Sequence, residues 1–225
     1  MDKKALKREI LITADGSTTI HLPEWDEQYH SKHGAIQEAY HVFIKNGLDL
    51  FSKEVAILEV GFGTGLNAFI TLLEAKKRNL LIDYVGVEAF PISKDEVSLL
   101  NYPLELQVSE AEKALFYKLH KVSWEEKHFI NKEFTVTKRK QLFADITDKS
   151  TFDLIYFDAF GARVQPDLWT EDIFQKMHNA LKPNGYLVTY SAKGSVRRAM
   201  QAVGFTVERL EGPPGKREML RARKV

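Results

Sequence analysis

The chain has 225 residues, 44% hydrophobic and 28% charged, which suits one domain, or one domain with a modest extension, able to bury roughly 70% of its unfolded surface. That balance excludes wholesale disorder. The lack of cysteine excludes disulfides, thiolate zinc sites, iron–sulfur clusters and cysteine nucleophiles. Net charge is +1, but it is unevenly spread. From Lys193 onward nine basic residues face three acids, which makes the end +6 and leaves −5 for the first 192 residues. A basic end is compatible with a polyanionic partner, and equally with a solvated charged face.

Met1 to Glu9 is too polar for a secretory signal, and no apolar run approaches the ~20 residues that span a bilayer. The expectation is a cytoplasmic protein with no membrane partner. Ile10 and Ile12 alternate before Asp15-Gly16, and Ile20 and Leu22 after it, which predicts a hairpin ended by Pro23. Ile36, Tyr40, Phe43 and Ile44 then fall on one face of a helix that Gly47 could close. Residues 1–50 are thus an extension ahead of a domain over 51–225.

From residue 54 buried strands and helices alternate. Val55 to Val60 is a strand leading into Gly61-Phe62-Gly63-Thr64-Gly65 and a helix through Lys77. Ile82 to Glu88 is the second strand, and a helical insertion near 103–131 follows. Phe134 to Thr137 is the third strand and Phe152 to Asp158 the fourth. The fifth runs from Gly185 to Ser191, after a Pro183-Asn184-Gly185 turn. Phe205 to Leu210 and Met219 to Arg223 are joined by so short a connection, Gly212-Pro213-Pro214-Gly215, that they must pair antiparallel. The pattern predicts an α/β fold, a doubly wound, Rossmann-like, mostly parallel sheet with an antiparallel edge.

Glycines after a buried strand let a ligand approach the backbone at the carboxyl end of the sheet. A nicotinamide dinucleotide site wants its third glycine at position 66, where Leu66 stands, and no Gly-Lys-Ser/Thr marks a phosphate loop. The acid-x-G-x-G-x-G pattern from Glu59 resembles instead the first motif of S-adenosylmethionine-dependent methyltransferases. Glu88, 25 residues after Gly63, is placed to accept two ribose hydroxyls, and Asp145 to lie near an adenine amino group. Both are also where helix N-caps would sit. Asp158 ends the fourth strand, where donor and acceptor meet in this fold. A carboxylate there can orient an amine and receive charge as nitrogen becomes cationic. His30 and His33 lack the partners of an H-E-x-x-H zinc site, so no metal is expected.

Further motifs narrow the resemblance. Phe157-Asp158-Ala159-Phe160, Pro166-Asp167-Leu168-Trp169-Thr170, Thr189 to Gly194, Gly212 to Met219 and the upstream run Tyr29-His30-Ser31 … Glu38 … Val42-Phe43 are similar to the methyltransferase part of MnmC-type tRNA-modifying enzymes. The resemblance implies a class I methyltransferase with a seven-stranded sheet and S-adenosyl-L-methionine as cofactor. It implies methylation of the primary amine of 5-aminomethyl-2-thiouridine at the tRNA wobble position. The chain has no room for the flavin-dependent domain that family members often carry, so a stand-alone, MnmD-like form is expected. A separate flavin- or GTPase-dependent enzyme would then supply the aminomethyl group.

The family pattern assigns the donor site to Glu59, Gly61, Gly63, Gly65, Asn67, Glu88 and Asp145, and the catalytic role to Asp158. Tyr29, Phe160 and Trp169 are candidates to stack on an extruded base, although aromatics also dominate cores. Lys193, Arg197, Arg198, Lys216 and Arg217 are candidates to contact the phosphates of a tRNA anticodon loop. Three other readings stay open: methylation of a small-molecule or protein amine, a binding protein without turnover, and a dinucleotide oxidoreductase.

Overall fold

The computed structural model describes residues 7–225, so most of the polar start, Met1 to Leu6, lies outside the described residues. Strands β1 (Glu9–Ile12) and β2 (Thr18–Leu22) form the predicted hairpin, with Ile10 opposite Ile20. Asp15 builds its turn, accepting hydrogen bonds from Thr13 Oγ1 at 2.7 Å and Ser17 N at 3.2 Å. A two-residue strand β3 (Glu27–Gln28) completes a small antiparallel sheet.

Helix α1 (Ala35–Ala39) continues as a π-helical turn over Tyr40–Lys45. The wider turn rotates the residues that follow, so the buried set is Ala35, Glu38, Ala39, Val42, Phe43 and Ile44. Ile36 and Tyr40, expected on the buried face, are half-buried. Gly47 does not adopt a left-handed cap, having φ −123°. A Cβ there would lie 2.5 Å from the Phe43 carbonyl oxygen, so glycine lets the chain pass close by.

The main sheet and its helices follow as β4 (Glu54–Val60), α2 (Leu66–Arg78), β5 (Leu81–Val87), α3 (Lys94–Ser98), α4 (Tyr102–Glu105), α5 (Glu110–Lys121), β6 (Lys127–Phe129), β7 (Phe134–Arg139), β8 (Phe152–Phe157), α6 (Glu171–Ala180), β9 (Leu181–Thr189), α7 (Gly194–Ala202), β10 (Phe205–Glu211) and β11 (Glu218–Lys224). Strand order is β10-β11-β9-β8-β4-β5-β7-β6. The five central strands, β9 to β7 in that order, are parallel, and β11 and β6 run antiparallel to their neighbours. Alternate residues of each central strand feed opposite faces. Ile57, Tyr84 and Tyr156 pack with Phe69 and Phe116 on one side, whereas Leu58, Val85 and Phe157 pack with Phe174 and Val196 on the other. Phe43 joins the first cluster, its ring 4.9 Å from that of Tyr156, so part of the N-terminal extension shares the core of the sheet.

Two details differ from the expectation. The sheet has eight strands, not seven, because the insertion stops being helical at Lys121 and Lys127–Phe129 returns as an edge strand on β7. Three residues on an exposed edge carry too little apolar pattern to be seen in sequence. The Pro183-Asn184-Gly185 stretch lies inside β9 rather than before it. Phe152 pairs with Leu181 and Leu154 with Tyr186, so the extra residues bulge out, with Asn184 at φ 66°.

Candidate active site

The loop between β4 and α2 crosses the carboxyl end of the sheet. Gly61 has φ 98°, and a Cβ on it would stand 2.5 Å from the Asp158 carbonyl oxygen, so any side chain would push apart the ends of β4 and β8. Gly63 faces the ring of Tyr29. Behind the loop, Glu59 is fully buried. Its Oε1 accepts from Asn67 Nδ2 at 3.0 Å, and the same Nδ2 donates to Asp158 Oδ2 at 2.8 Å. Asn67 therefore bridges two carboxyl groups. Glu59 Oε2 and Asn67 Oδ1 are buried without hydrogen-bond partners. Burial, together with the nearby Asp158 charge, holds the Glu59 carboxyl well above the usual carboxylate range.

Gly61 and Gly63 line a cavity of about 1340 Å³ that also takes in Glu88 and Asp158. Glu88 follows β5, with Oε2 accepting from Gly63 N at 3.1 Å and Oε1 from Phe90 N at 2.8 Å. Arg8 reaches the same end of the cavity and donates to Phe90 O at 2.8 Å and Glu96 Oε2 at 3.2 Å. Gly65 backs onto His120. Asp145 stands exposed on a short 3₁₀ turn and is not in the cavity wall, which is formed there by Leu142, Phe143 and Ala144. One turn displaces the acid from the position its sequence spacing suggests.

At the other end Asp158 opens into the cavity beside Ala159 and Phe160. Burial raises its carboxyl to about 7, helped by the charge of Glu38 and opposed by the Asn67 hydrogen bond and the Lys216 charge. Tyr29 meets Phe160 edge-on, with ring centroids 4.9 Å apart, and Trp25 meets it at 5.8 Å. Trp169, a candidate for stacking and equally a candidate for the core, is core: it is 6% exposed, packs on Phe157 at 5.1 Å, and donates from Nε1 to Phe160 O at 2.8 Å. Its indole supports the aromatic wall from behind, because β8 turns its apolar face toward α6 there.

The basic candidates divide. Lys216 lines the cavity, bonded to Glu38, with Nζ 4.0 Å from the centre of the Tyr190 ring. Lys193, Arg198 and Arg217 are exposed and Arg197 is half-buried, and all four lie outside the cavity lining. Glu38 and Tyr190, both in the cavity wall, belong to the site although sequence reasoning did not assign them there. The signal for Glu38 was an acid on the buried face of α1. His30 bonds Thr64 Oγ1 through Nε2 at 2.7 Å, and burial lowers it to about 4. His33 packs against Gly215.

A family model described as S-adenosyl-L-methionine-dependent methyltransferase matches residues 110–225, more than half of the chain. The chain is 28% identical to the tRNA 5-methylaminomethyl-2-thiouridine biosynthesis bifunctional protein MnmC of Marinomonas sp. (strain MWYL1), over 88% of this chain and 31% of that protein. It is 30% identical to the protein of the same name from Delftia acidovorans, over 91% of this chain and 33% of that protein. The chain thus spans about a third of the length of these relatives. Among solved structures, MnmC2 from Aquifex aeolicus is similar with a TM-score of 0.79 and 25% identity, covering 98% of this chain and 71% of that one. Spermidine synthase from Thermotoga maritima, at a TM-score of 0.55 and 14% identity over 100% of this chain and 70% of that one, shares the fold.

Proposed function

We propose that this chain, which belongs to the S-adenosyl-L-methionine-dependent methyltransferase family, methylates the primary amine of 5-aminomethyl-2-thiouridine at the wobble position of tRNA, giving 5-methylaminomethyl-2-thiouridine. The observation that carries the reading is Asp158, a carboxyl group opening into the same cavity as the glycine loop and tied to that loop's helix through Asn67. The names of the relatives from Marinomonas and Delftia support the choice of substrate.

The residues present fit the donor. Gly61 and Gly63 leave the backbone bare along the cavity, Glu88 offers a carboxylate to ribose hydroxyls, and Glu59 and Asn67 keep unpartnered polar atoms behind the loop. When bound, S-adenosyl-L-methionine supplies an electrophilic methyl group. The protein's task is then to align an amine lone pair with that methyl, which requires the neutral amine at the moment of attack because the cationic form has no lone pair. Asp158 orients the nitrogen through a hydrogen bond. Tyr29 and Phe160 wall the entrance with aromatic surface suited to an extruded base. Arg217, Lys193, Arg197 and Arg198, outside the cavity, are left to meet phosphates. Among the described residues no helix is long and apolar enough to cross a membrane, and a tRNA substrate implies work in the cytoplasm.

The test is an anticodon stem-loop carrying 5-aminomethyl-2-thiouridine, compared with the same stem-loop carrying 2-thiouridine and with the free modified nucleoside. Transfer to the first alone is the expected result. Equal transfer to the free nucleoside, or to unrelated small amines, would move the reading to a small-molecule methyltransferase.

A further inference from the structure

Glu38 and Lys216 form an ion pair across 178 residues of sequence, and both line the acceptor end of the cavity. The pair is firmly built. Glu38 is 8% exposed, and its Oε2 accepts from Ser31 N at 3.1 Å while Lys216 holds Oε1. The Lys216 ammonium lies 4.0 Å from the Tyr190 ring centre, and Tyr190 Oη donates to Ala159 O at 2.8 Å, so the pair is fastened to the residue next to Asp158. On Asp158, which lines the cavity, Asn67 Nδ2 engages Oδ2.

We infer that Glu38 and Lys216 are positioning residues of the acceptor site: the ion pair fixes a second carboxyl group near Asp158, and Asp158 takes the proton that the acceptor ammonium must lose before it can be methylated. The inference rests on the amine reading above. The step balances: an N–H bond of the ammonium breaks, an O–H bond forms on Asp158, and the electron pair stays on nitrogen as the lone pair that attacks. No further reactant is needed.

Every element around Asp158 contributes to its charge environment. Glu59 on β4, Tyr84 on β5, Tyr102 on α4 and Tyr190 after β9 interact with it electrostatically, as do Glu38 and Lys216, and His30 faces the ion pair. The Glu59 carboxyl is raised, and so are the three tyrosine hydroxyls. The three tyrosines, pushed up from an already high value, stay uncharged near neutrality, and the Glu38–Lys216 ion pair sets one charge of each sign beside Asp158. Removing the Glu38 charge makes Asp158 easier to ionise, and removing the Lys216 charge makes it harder. The two substitutions must act in opposite directions, which a merely structural role would not produce.

The experiment is a carboxyl ¹³C NMR titration of the full-length protein, with the Asp158 resonance assigned by its loss in Asp158→Asn. Glu38→Gln is expected to lower the Asp158 midpoint by about one pH unit and Lys216→Met to raise it by a similar amount, while Lys216→Arg leaves it near the wild-type value. The acid limb of kcat/KM, which marks the pH below which Asp158 is already protonated and cannot accept, should move with the midpoint. Thermal melting confirms that each variant is folded. Midpoints that ignore both charge-removing substitutions, or shift in the same direction, overturn the inference and leave the proposed function standing. An RNA that takes no methyl from the wild-type enzyme overturns the proposed function instead.

Discussion

The two ends of the cavity are built by different means. The end at the glycine loop is made largely of backbone, with Gly61 and Gly63 in positive-φ conformations along a loop that follows directly from a buried strand, and Glu88 closing it from the next strand. The end around Asp158 is made of side chains drawn from five places in the chain: Tyr29, Glu38, Asp158, Tyr190 and Lys216. A backbone cradle is specified locally and fails through strain or lost space. A side-chain constellation is specified by the whole fold and fails through charge.

The largest expected effect breaks the two ends apart. Asp158→Ala should lower kcat by ~10²–10⁴-fold while calorimetry finds donor affinity within a few fold of wild type. A matching loss of donor affinity would assign Asp158 to the donor end. Trp169→Ala should cost stability, about 3–5 kcal/mol as for other large core truncations, read as a fall in Tm. If Tm holds and RNA affinity falls instead, the indole belongs to the acceptor surface after all. Gly61→Ala attacks the cradle, where positive φ and the 2.5 Å approach to Asp158 O add strain of about 1–3 kcal/mol. Donor binding should weaken about tenfold or more, and unchanged binding would contradict the backbone account. The smallest effect is at the rim. Arg217→Ala should weaken tRNA binding a few fold and reduce the salt slope by about 1, with donor affinity unaltered.

The same contrast explains what could be read in advance. The hairpin, most of the buried strands and the glycine loop each occupy a few consecutive residues with a strong pattern and appear in the structure at those residues, β9 being the strand whose start differs. Asp158 was legible for the same reason, as the acid that ends a continuous apolar strand. Trp169 stays ambiguous in sequence, because an aromatic residue one loop away from that acid looks the same whether it faces the cavity or supports its wall. Asp145 lies outside the cavity wall because a single 3₁₀ turn after β7 changes which residues of that segment reach it, and a turn that short leaves no pattern in sequence. The Glu38–Lys216 pair was beyond reach as a pair. Its members come together through the packing of α1 and the turn between β10 and β11, and no local pattern encodes that meeting.

On the proposed function, the cavity joins a methyl donor to a tRNA-borne amine. The most direct test incubates tRNA from cells lacking this protein with the pure enzyme and labelled S-adenosyl-L-methionine, then digests the RNA to nucleosides for mass spectrometry. Label is expected in one nucleoside, heavier by a single methyl than 5-aminomethyl-2-thiouridine. No label in any nucleoside, from enzyme that still binds the donor, would contradict it.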